Sequence, residues 1–286
     1  MQSMLPRCFA RRPKSPKSNR RVVNPMTART EKAEYLASYA AQLPVLHPAG
    51  QRRLRCAHVH VSGTGRIGGS VALAMAASGI GHVSANDPQD MEAENLGAFA
   101  LARRDDLGKP KVDVLSRLLS GRPHFEFVPL VLPAESAASE ECLGKSDLIL
   151  SCANTLEARL AAERIAVLCR KPILQVAAFD GRSRLGGLIT VRLPQNGWTA
   201  CFGCLANKSV IERGEGLLST VTWSLAGIAS TMAVQILTGQ HSSFIRKHNL
   251  FFIDLETYGI EALALQRRSD CTVCGAARRG RRKGGQ

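Results

Sequence analysis

The sequence of 286 residues predicts an α/β fold of the Rossmann-like, doubly wound type, with a mainly parallel sheet and helices on both faces. Residues 58–87 read as a strand, a Gly-x-Gly-x-x-Gly turn, a helix, a second strand and an acid. The alternation of strands and helices then continues to residue 177. Parallel strands joined by crossover helices place ligands at the carboxyl ends of the strands.

The elements follow one another along the chain. Residues 31–54 read as two helices separated at Pro48, because proline disrupts a helix interior. A short alternating run predicts the first strand, and the Ala- and Leu-rich run after the glycine turn predicts a buried helix. The predicted strands are His58–Val61, His82–Ala85, Phe125–Leu132, Asp147–Ser151, Pro172–Ala177 and Asn249–Leu255, and the predicted helices are Ser70–Ser78, Lys111–Leu119, Leu156–Cys169 and Leu217–Thr238.

The glycine turn is the first candidate binding site. Gly63 allows the tight turn, Gly65 lets the backbone approach a phosphate, and Gly68 permits close packing of helix on strand. The exposed N–H groups and the positive end of the helix dipole favour a bound anion. Asp87 follows Gly68 by 19 residues, about the spacing of a ribose-binding acid. The sequence therefore predicts a nucleotide site.

The positive charge of the chain lies in its two ends. Eight of the 38 Lys and Arg residues lie in 1–30 and five in 278–283, and neither segment contains an acid. The remainder therefore holds 25 basic against 23 acidic residues. This balance predicts a disordered basic leader at 1–29, a nucleotide-binding domain at 30–277 and a disordered basic tail at 278–286. Contact with nucleic acid is expected only through these ends; the leader also has the composition of a transit peptide.

Four of the nine cysteines form two Cys-x-x-Cys pairs, Cys201 with Cys204 and Cys271 with Cys274, separated by 66 residues. Four thiolates satisfy a closed tetrahedral zinc site and leave no position for a catalytic water, so we expect a structural zinc clip. A redox-active dithiol pair is the alternative. Metal-binding thiols fit a reducing compartment, and we expect a cytoplasmic location.

The predicted helix Leu217–Thr238 is long but carries many Ser and Thr residues, which predicts no membrane span. A surface of this kind is typical of a helix buried against a second subunit. We therefore expect this helix near an interface with a partner subunit.

Several motifs together resemble the ThiF/MoeB/HesA superfamily, the bacterial relatives of ubiquitin-activating enzymes. They are the glycine turn Gly63–Gly68, Asp87, Glu94-Asn95-Leu96, Gly108-Lys-Pro-Lys111, the strand with Ser151-Cys152, and both cysteine pairs. The resemblance implies binding of ATP with Mg²⁺ and adenylation of the C-terminal carboxylate of a ubiquitin-like or sulfur-carrier protein or a peptide. It also implies that Gly65, Asn95 and Lys111 contact phosphate and that Asp87 holds the ribose. Together with the predicted helix Leu217–Thr238, the resemblance implies a homodimer with that helix near the interface.

Three positions depart from the family pattern. Ala98 stands where the family has an arginine, Asn154 where it has a magnesium-binding aspartate, and Gln89 replaces a second acid after Asp87. Arg103 and Arg104 lie a few residues before Lys111 and are the candidate replacements for the lost cation. Lys111, Arg103, Arg104 and Asn154 are thus the candidate catalytic residues.

Two functions from different classes remain open at this stage. The first is an adenylating enzyme. The second is a degenerate relative that has lost adenylation and acts as a peptide-binding or scaffold subunit. A dinucleotide-dependent oxidoreductase, which Gly-x-Gly-x-x-Gly and Asp87 alone would allow, gives no role to Asn95, Lys111 or the cysteine pairs.

Overall fold

A computed structural model describes residues 25–99, 101–194, 200–205, 216–241 and 243–275. The predicted basic tail, 278–286, lies outside these residues, as do residues 1–24 of the predicted leader. The first helix begins at Pro25, inside the segment 1–29 that was expected to be a disordered leader.

The described strands form one eight-stranded sheet in the order β3-β2-β1-β4-β5-β6-β7-β8. The five strands from β3 to β5 in this order are parallel, and β6, β7 and β8 extend the sheet antiparallel. The bounds are β1 His58–Ser62, β2 His82–Asn86, β3 Glu126–Leu130, β4 Leu148–Ser151, β5 Ile173–Ala178, β6 Gly186–Arg192, β7 Leu250–Asp254 and β8 Gly259–Leu263. The Rossmann-like, mainly parallel sheet predicted from the sequence is confirmed.

The antiparallel edge contains two strands that the sequence analysis did not predict, β6 and β8. Only residues 179–185 separate β5 from β6, too few for a crossover helix, so β6 must return antiparallel beside β5. The turn before Gly259 is also too short for a crossover helix, so β8 returns antiparallel beside β7.

Ten α-helices surround the sheet in the described part of the chain. Their bounds are α1 Pro25–Ser38, α2 Leu43–Cys56, α3 Arg66–Ala77, α4 Ala93–Leu96, α5 Lys111–Leu119, α6 Ala137–Lys145, α7 Leu156–Cys169, α8 Phe202–Leu205, α9 Ser219–Thr238 and α10 Ser243–Lys247. The break predicted at Pro48 is present, because His47 before it has non-helical backbone angles.

The strand β4 shows that both faces of the sheet are covered. Successive side chains of a strand point to opposite faces. Leu148 and Leu150 pack in the core cluster that contains α3 and α9, whereas Ile149 between them packs in the cluster of α6 and α7. The doubly wound arrangement therefore holds at the centre of the sheet.

The helix α9 is the one described helix whose length and composition would suffice to cross a membrane, with a mean hydropathy of 1.3. Its Ser and Thr content alone therefore does not exclude a membrane span, but its packing in the structure supports the expectation that it is not one. In the structure α9 packs against α2, α3, β5 and β6, and Leu225, Ala229 and Ala233 are fully buried. It is a core helix of this fold.

A row of polar side chains runs along β1 and β2 through the core. The Nε2 atom of His58 lies 2.7 Å from Ser84 Oγ, which lies 2.8 Å from His60 Nδ1. His60 Nε2 in turn lies 2.9 Å from Asn86 Oδ1. Every link is satisfied when both histidines are neutral and protonated on Nε2, because Ser84 then donates to His60 and accepts from His58. Burial lowers the pKa of His60 to about 4.

This buried histidine predicts acid sensitivity. A histidine has a pKa of about 6.5 in an unfolded chain, so the unfolded state takes up a proton between pH 6.5 and 4 while the folded state stays neutral. Stability is therefore full above pH 6.5 and falls as the pH drops, by about 3 kcal/mol from pH 7 to pH 4. We expect the His60→Gln variant to lose that part of the pH dependence in urea unfolding. An equal decrease in both proteins would contradict the assignment.

Candidate active site

A cavity of about 810 Å³ lies at the carboxyl ends of β1, β2, β4 and β5. This is the edge of the sheet at which doubly wound folds bind ligands. Six of the predicted residues line it, namely Gly63, Gly65, Asp87, Asn95, Lys111 and Asn154. Gly68 lies below the turn, and the cavity wall does not include Arg103 or Arg104.

The glycine turn has the geometry predicted for it. Gly63 has a φ of +82°, and a Cβ there would lie 2.6 Å from the Cα of Ala153. A Cβ on Gly68 would lie 1.8 Å from the carbonyl oxygen of Gly63, so only glycine permits this approach of helix to strand. Gly65 directly precedes α3 and faces open space. The first N–H groups of α3 are therefore accessible to an anion.

The carboxylate of Asp87 ties the glycine turn to the end of β2. It accepts hydrogen bonds from the backbone N–H of Thr64 at 2.7 Å and from that of Gln89 at 2.9 Å. Asp87 is buried, yet it contributes to the cavity wall. This acid thus orders the turn and stands where a ribose hydroxyl could reach it.

Lys111 and Asn95 are two further predicted residues that line the cavity. Lys111 begins α5, is only 5% exposed, and its Nζ donates to Gln89 Oε1 at 2.9 Å. Asn95 is buried in α4, and its Oδ1 accepts the backbone N–H of Glu92 at 3.0 Å. Gln89, which replaces a family acid, therefore holds the lysine without neutralising it.

The structure does not bring Arg103 or Arg104 to the cavity. Both side chains are exposed and belong to a short turn on the outer surface. Ala98, at the position of the family arginine, is completely buried, and its carbonyl accepts a hydrogen bond from Trp223 Nε1 at 3.2 Å. Asn154 lines the cavity and is exposed to it.

Two arginines that the sequence analysis did not single out line the cavity instead, Arg66 and Arg159. Arg159 is 4% exposed, and its Nη2 donates to Val176 O at 2.9 Å. Its Nε atom has no hydrogen-bond partner, and burial lowers its pKa to about 10. The sequence signal for Arg66 is its position, because the residue after the second motif glycine begins the helix whose N-terminal end would face an anion.

The four predicted metal ligands come together. Their sulfur atoms lie within 4.8 Å of one another, and all four cysteines are buried. The measured separations are 3.9 Å for Cys201–Cys204, 3.6 Å for Cys201–Cys271 and 3.5 Å for Cys204–Cys274. A tetrahedral zinc with bonds of about 2.3 Å places its sulfurs about 3.8 Å apart, whereas a disulfide requires about 2.05 Å. The cluster therefore fits a metal.

The surroundings of the cluster favour thiolates. Arg267 Nε lies 3.4 Å from Cys274 Sγ, and the backbone N–H of Arg268 points at Cys204 Sγ over 3.5 Å. Hydrogen bonds from Cys201 and then Arg267 hold the pKa of Cys274 below its ordinary value, whereas the hydrogen bond to Cys274 raises the pKa of Cys201 and burial raises that of Cys204. Such donors outside the ligand shell stabilise metal-bound sulfur. None of the four cysteines lines the cavity, which is consistent with a structural role.

A family model described as the ThiF family matches residues 38–273. The chain belongs to the ThiF family. This confirms the resemblance inferred from the glycine turn, Asn95, Lys111 and the cysteine pairs.

Curated relatives support this membership. The chain is 28% identical over 245 residues to the heterocyst protein HesA of Trichormus variabilis, covering 84% of this chain and 89% of the relative. It is 25% identical over 234 residues to the sulfur carrier protein ThiS adenylyltransferase of Escherichia coli, covering 80% and 90%. It is 27% identical to the adenylyltransferase and sulfurtransferase uba4 of Aspergillus niger, of which it spans 51%.

Solved structures show the same fold. E. coli MccB in complex with MccA-N7isoASN has a TM-score of 0.69 at 19% identity, covering 83% of this chain and 75% of MccB. E. coli MccB with ATP has a TM-score of 0.67 at 20% identity, with coverage of 80% and 70%. At these identities the likeness concerns the fold alone.

The charges around the cavity of this ThiF-family chain are balanced. Three cations line it in the described structure, Arg66, Lys111 and Arg159, together with three acids, Asp87, Glu94 and Glu135. The cations lie on different elements around the glycine turn. Each of these cations can pair with a phosphate oxygen and so stabilise charge that develops in phosphoryl or nucleotidyl transfer.

Proposed function

We propose that the chain binds ATP in this cavity and adenylates the C-terminal carboxylate of a ubiquitin-like or sulfur-carrier protein or of a peptide. The observation that carries the proposal is that the glycine turn, Asp87, Asn95 and Lys111 line one cavity. Two curated relatives, which match this chain over 245 and 234 residues, are named adenylyltransferases. The partner class comes from the family and from these relatives.

Each residue has a defined part in this reaction. The N–H groups at the start of α3 and the ammonium group of Lys111 would bind phosphate, and Asp87 would accept a hydrogen bond from the ribose. The substrate carboxylate attacks the α-phosphorus, the bond to the bridging oxygen of the β-phosphate breaks, and pyrophosphate leaves. Holding the two reactants in line supplies much of the acceleration.

Magnesium and zinc have different places in the proposal. Magnesium would enter with ATP, and near it Asn154 offers an amide oxygen in place of a carboxylate. The four cysteines would bind one structural zinc, which closes the segment around Cys271 onto the rest of the domain. Metal-binding thiols suit a reducing compartment, so we propose a cytoplasmic location.

The second candidate function is a peptide-binding or scaffold subunit without adenylation. Ala98 and Asn154 favour it, because they remove an arginine and a carboxylate that the family uses. Losing one preorganised charged or donor group in a transition state reduces the rate by roughly 10²–10³-fold. ATP would then still bind, and turnover would be slow.

Pyrophosphate exchange separates the two functions. The full chain would be incubated with ATP, labelled pyrophosphate and either a sulfur-carrier protein ending in Gly-Gly or a candidate peptide. The adenylating enzyme exchanges label only when the carboxylate partner is present, and the Lys111→Ala variant loses the exchange. Partner binding without exchange would identify the scaffold.

The proposed homodimer makes a separate prediction. On α9, Gly227 faces open space, because a Cβ there would contact no atom within 4 Å, and Trp223 beside it is 45% exposed. We expect light scattering to give twice the monomer mass of 30.8 kDa, and the Gly227→Arg variant to give a folded monomer with the circular dichroism spectrum of wild type. A wild-type monomer at micromolar concentration would contradict this prediction.

A further inference from the structure

We propose that Arg66 contacts the phosphates of ATP and supplies the cation that is missing at Ala98. This inference rests on the proposed nucleotide function and names a residue that serves it. Arg66 is the fourth residue of the Gly63–Gly68 turn and the first residue of α3.

The guanidinium group of Arg66 lies between two walls of the cavity. One terminal nitrogen donates to the carbonyl of Leu217 and the other to the carbonyl of Glu94, both at 3.2 Å. Arg66 is half-buried and lines the cavity with Gly65 and Asn95. The side chain is thus held over the N-terminal end of α3 rather than pointing into bulk solvent.

Its contact on α4 explains how it can replace the family arginine. The family arginine follows the asparagine by three residues, about one helical turn, at Ala98 in this chain. Ala98 is buried and has no charge to offer. Arg66 reaches α4 from the glycine turn and contacts the carbonyl of Glu94, the neighbour of Asn95. A guanidinium therefore reaches this helix by another route.

The hydrogen bonds that Arg66 forms with these two carbonyl groups are weaker than those it would form with a phosphate. Carbonyl oxygens are neutral, whereas hydrogen bonds from guanidinium to phosphate are charge-assisted and are commonly formed in pairs. When ATP binds, exchange of one or both carbonyl partners for phosphate oxygens is favourable. Because negative charge moves onto the leaving pyrophosphate, the same cation also stabilises the transition state.

A nucleotide series tests this role. Affinities of wild type, Arg66→Ala and Arg66→Lys for ATP, AMP and adenosine would be measured by calorimetry on the full chain. We expect Arg66→Ala to weaken ATP binding at least tenfold and to leave adenosine binding unchanged. The Arg66→Lys variant should recover part of the lost ATP affinity. The exposed Arg164, on the outer face of α7, provides the control variant Arg164→Ala, with wild-type affinities. A purely structural role for Arg66 would weaken all three ligands equally, and that result would overturn the proposal.

The same series separates this inference from the function on which it rests. If wild type binds ATP and Arg66→Ala binds it equally well, the role of Arg66 is refuted while the nucleotide site stands. If wild type binds no nucleotide at all, both are refuted. In pyrophosphate exchange, a loss caused by replacing Arg103 and Arg104 but not by replacing Arg66 would also overturn the assignment.

Discussion

Replacing Cys201 by serine is expected to lower the stability of the domain by more than about 4 kcal/mol, because loss of a structural metal is among the largest effects of a single substitution. Four cysteine sulfurs, all within 4.8 Å of one another, join the start of α8 to the segment around Cys271, which is distant in sequence. For a chain of this size the melting temperature should fall by roughly 10 °C. Elemental analysis should show one zinc per wild-type chain and less than one per variant.

Cys142 provides the matched control for this experiment. It lies on α6, outside the cluster, and burial raises the pKa of its thiol, so it is an ordinary packed cysteine. Cys142→Ser should keep full zinc content. If wild-type protein purified under reducing conditions contained no zinc, or if the Cys201→Ser variant were as stable as wild type, the cluster would not depend on metal.

Replacing Lys111 by alanine is expected to weaken ATP binding by about 10- to 100-fold. Its ammonium group is almost fully buried beside the glycine turn and bonds to the neutral Gln89 at 2.9 Å, so its charge remains available to a phosphate. A hydrogen bond to a charged group contributes about 1.5–3 kcal/mol, which corresponds to this loss. Titration calorimetry with ATP measures it.

Lys109 is the matched control for Lys111. It lies two residues before Lys111, but its side chain is 55% exposed, and its Nζ lies 4.0 Å from the buried carboxylate of Asp106. Lys109→Ala should bind ATP as wild type does. If Lys111→Ala and wild type bound ATP with equal affinity, with both proteins folded, Lys111 would not be a phosphate-binding residue.

Local sequence signals predicted the half of the fold that carries the site. The helices Lys111–Leu119 and Leu156–Cys169 have the predicted bounds, since proline or strong capping residues mark their starts. The strands β1 and β2 were predicted because their alternation ends at Gly63 and at Asp87. A parallel sheet then necessarily brings these ends together, so the cavity followed from the motifs.

Contacts between distant segments could not be predicted in this way. β6 was missed because its seven residues are all buried and show no alternation. Arg103 and Arg104 lie close to Lys111 in sequence, but the turn that contains them faces outward. Arg159 reaches the cavity only because α7 packs against the ends of β4 and β5, as its bond to Val176 shows.

Hydrogen–deuterium exchange with and without ATP tests most directly whether this cavity is the nucleotide site. ATP should slow exchange in peptides covering 63–68, 87–95 and the start of α5 at Lys111. The Lys111→Ala variant should show less of this protection. Peptides from the outer face of α7 should exchange at the same rate in both states. Protection absent from the glycine turn at millimolar ATP, or confined to another part of the fold, would contradict the account.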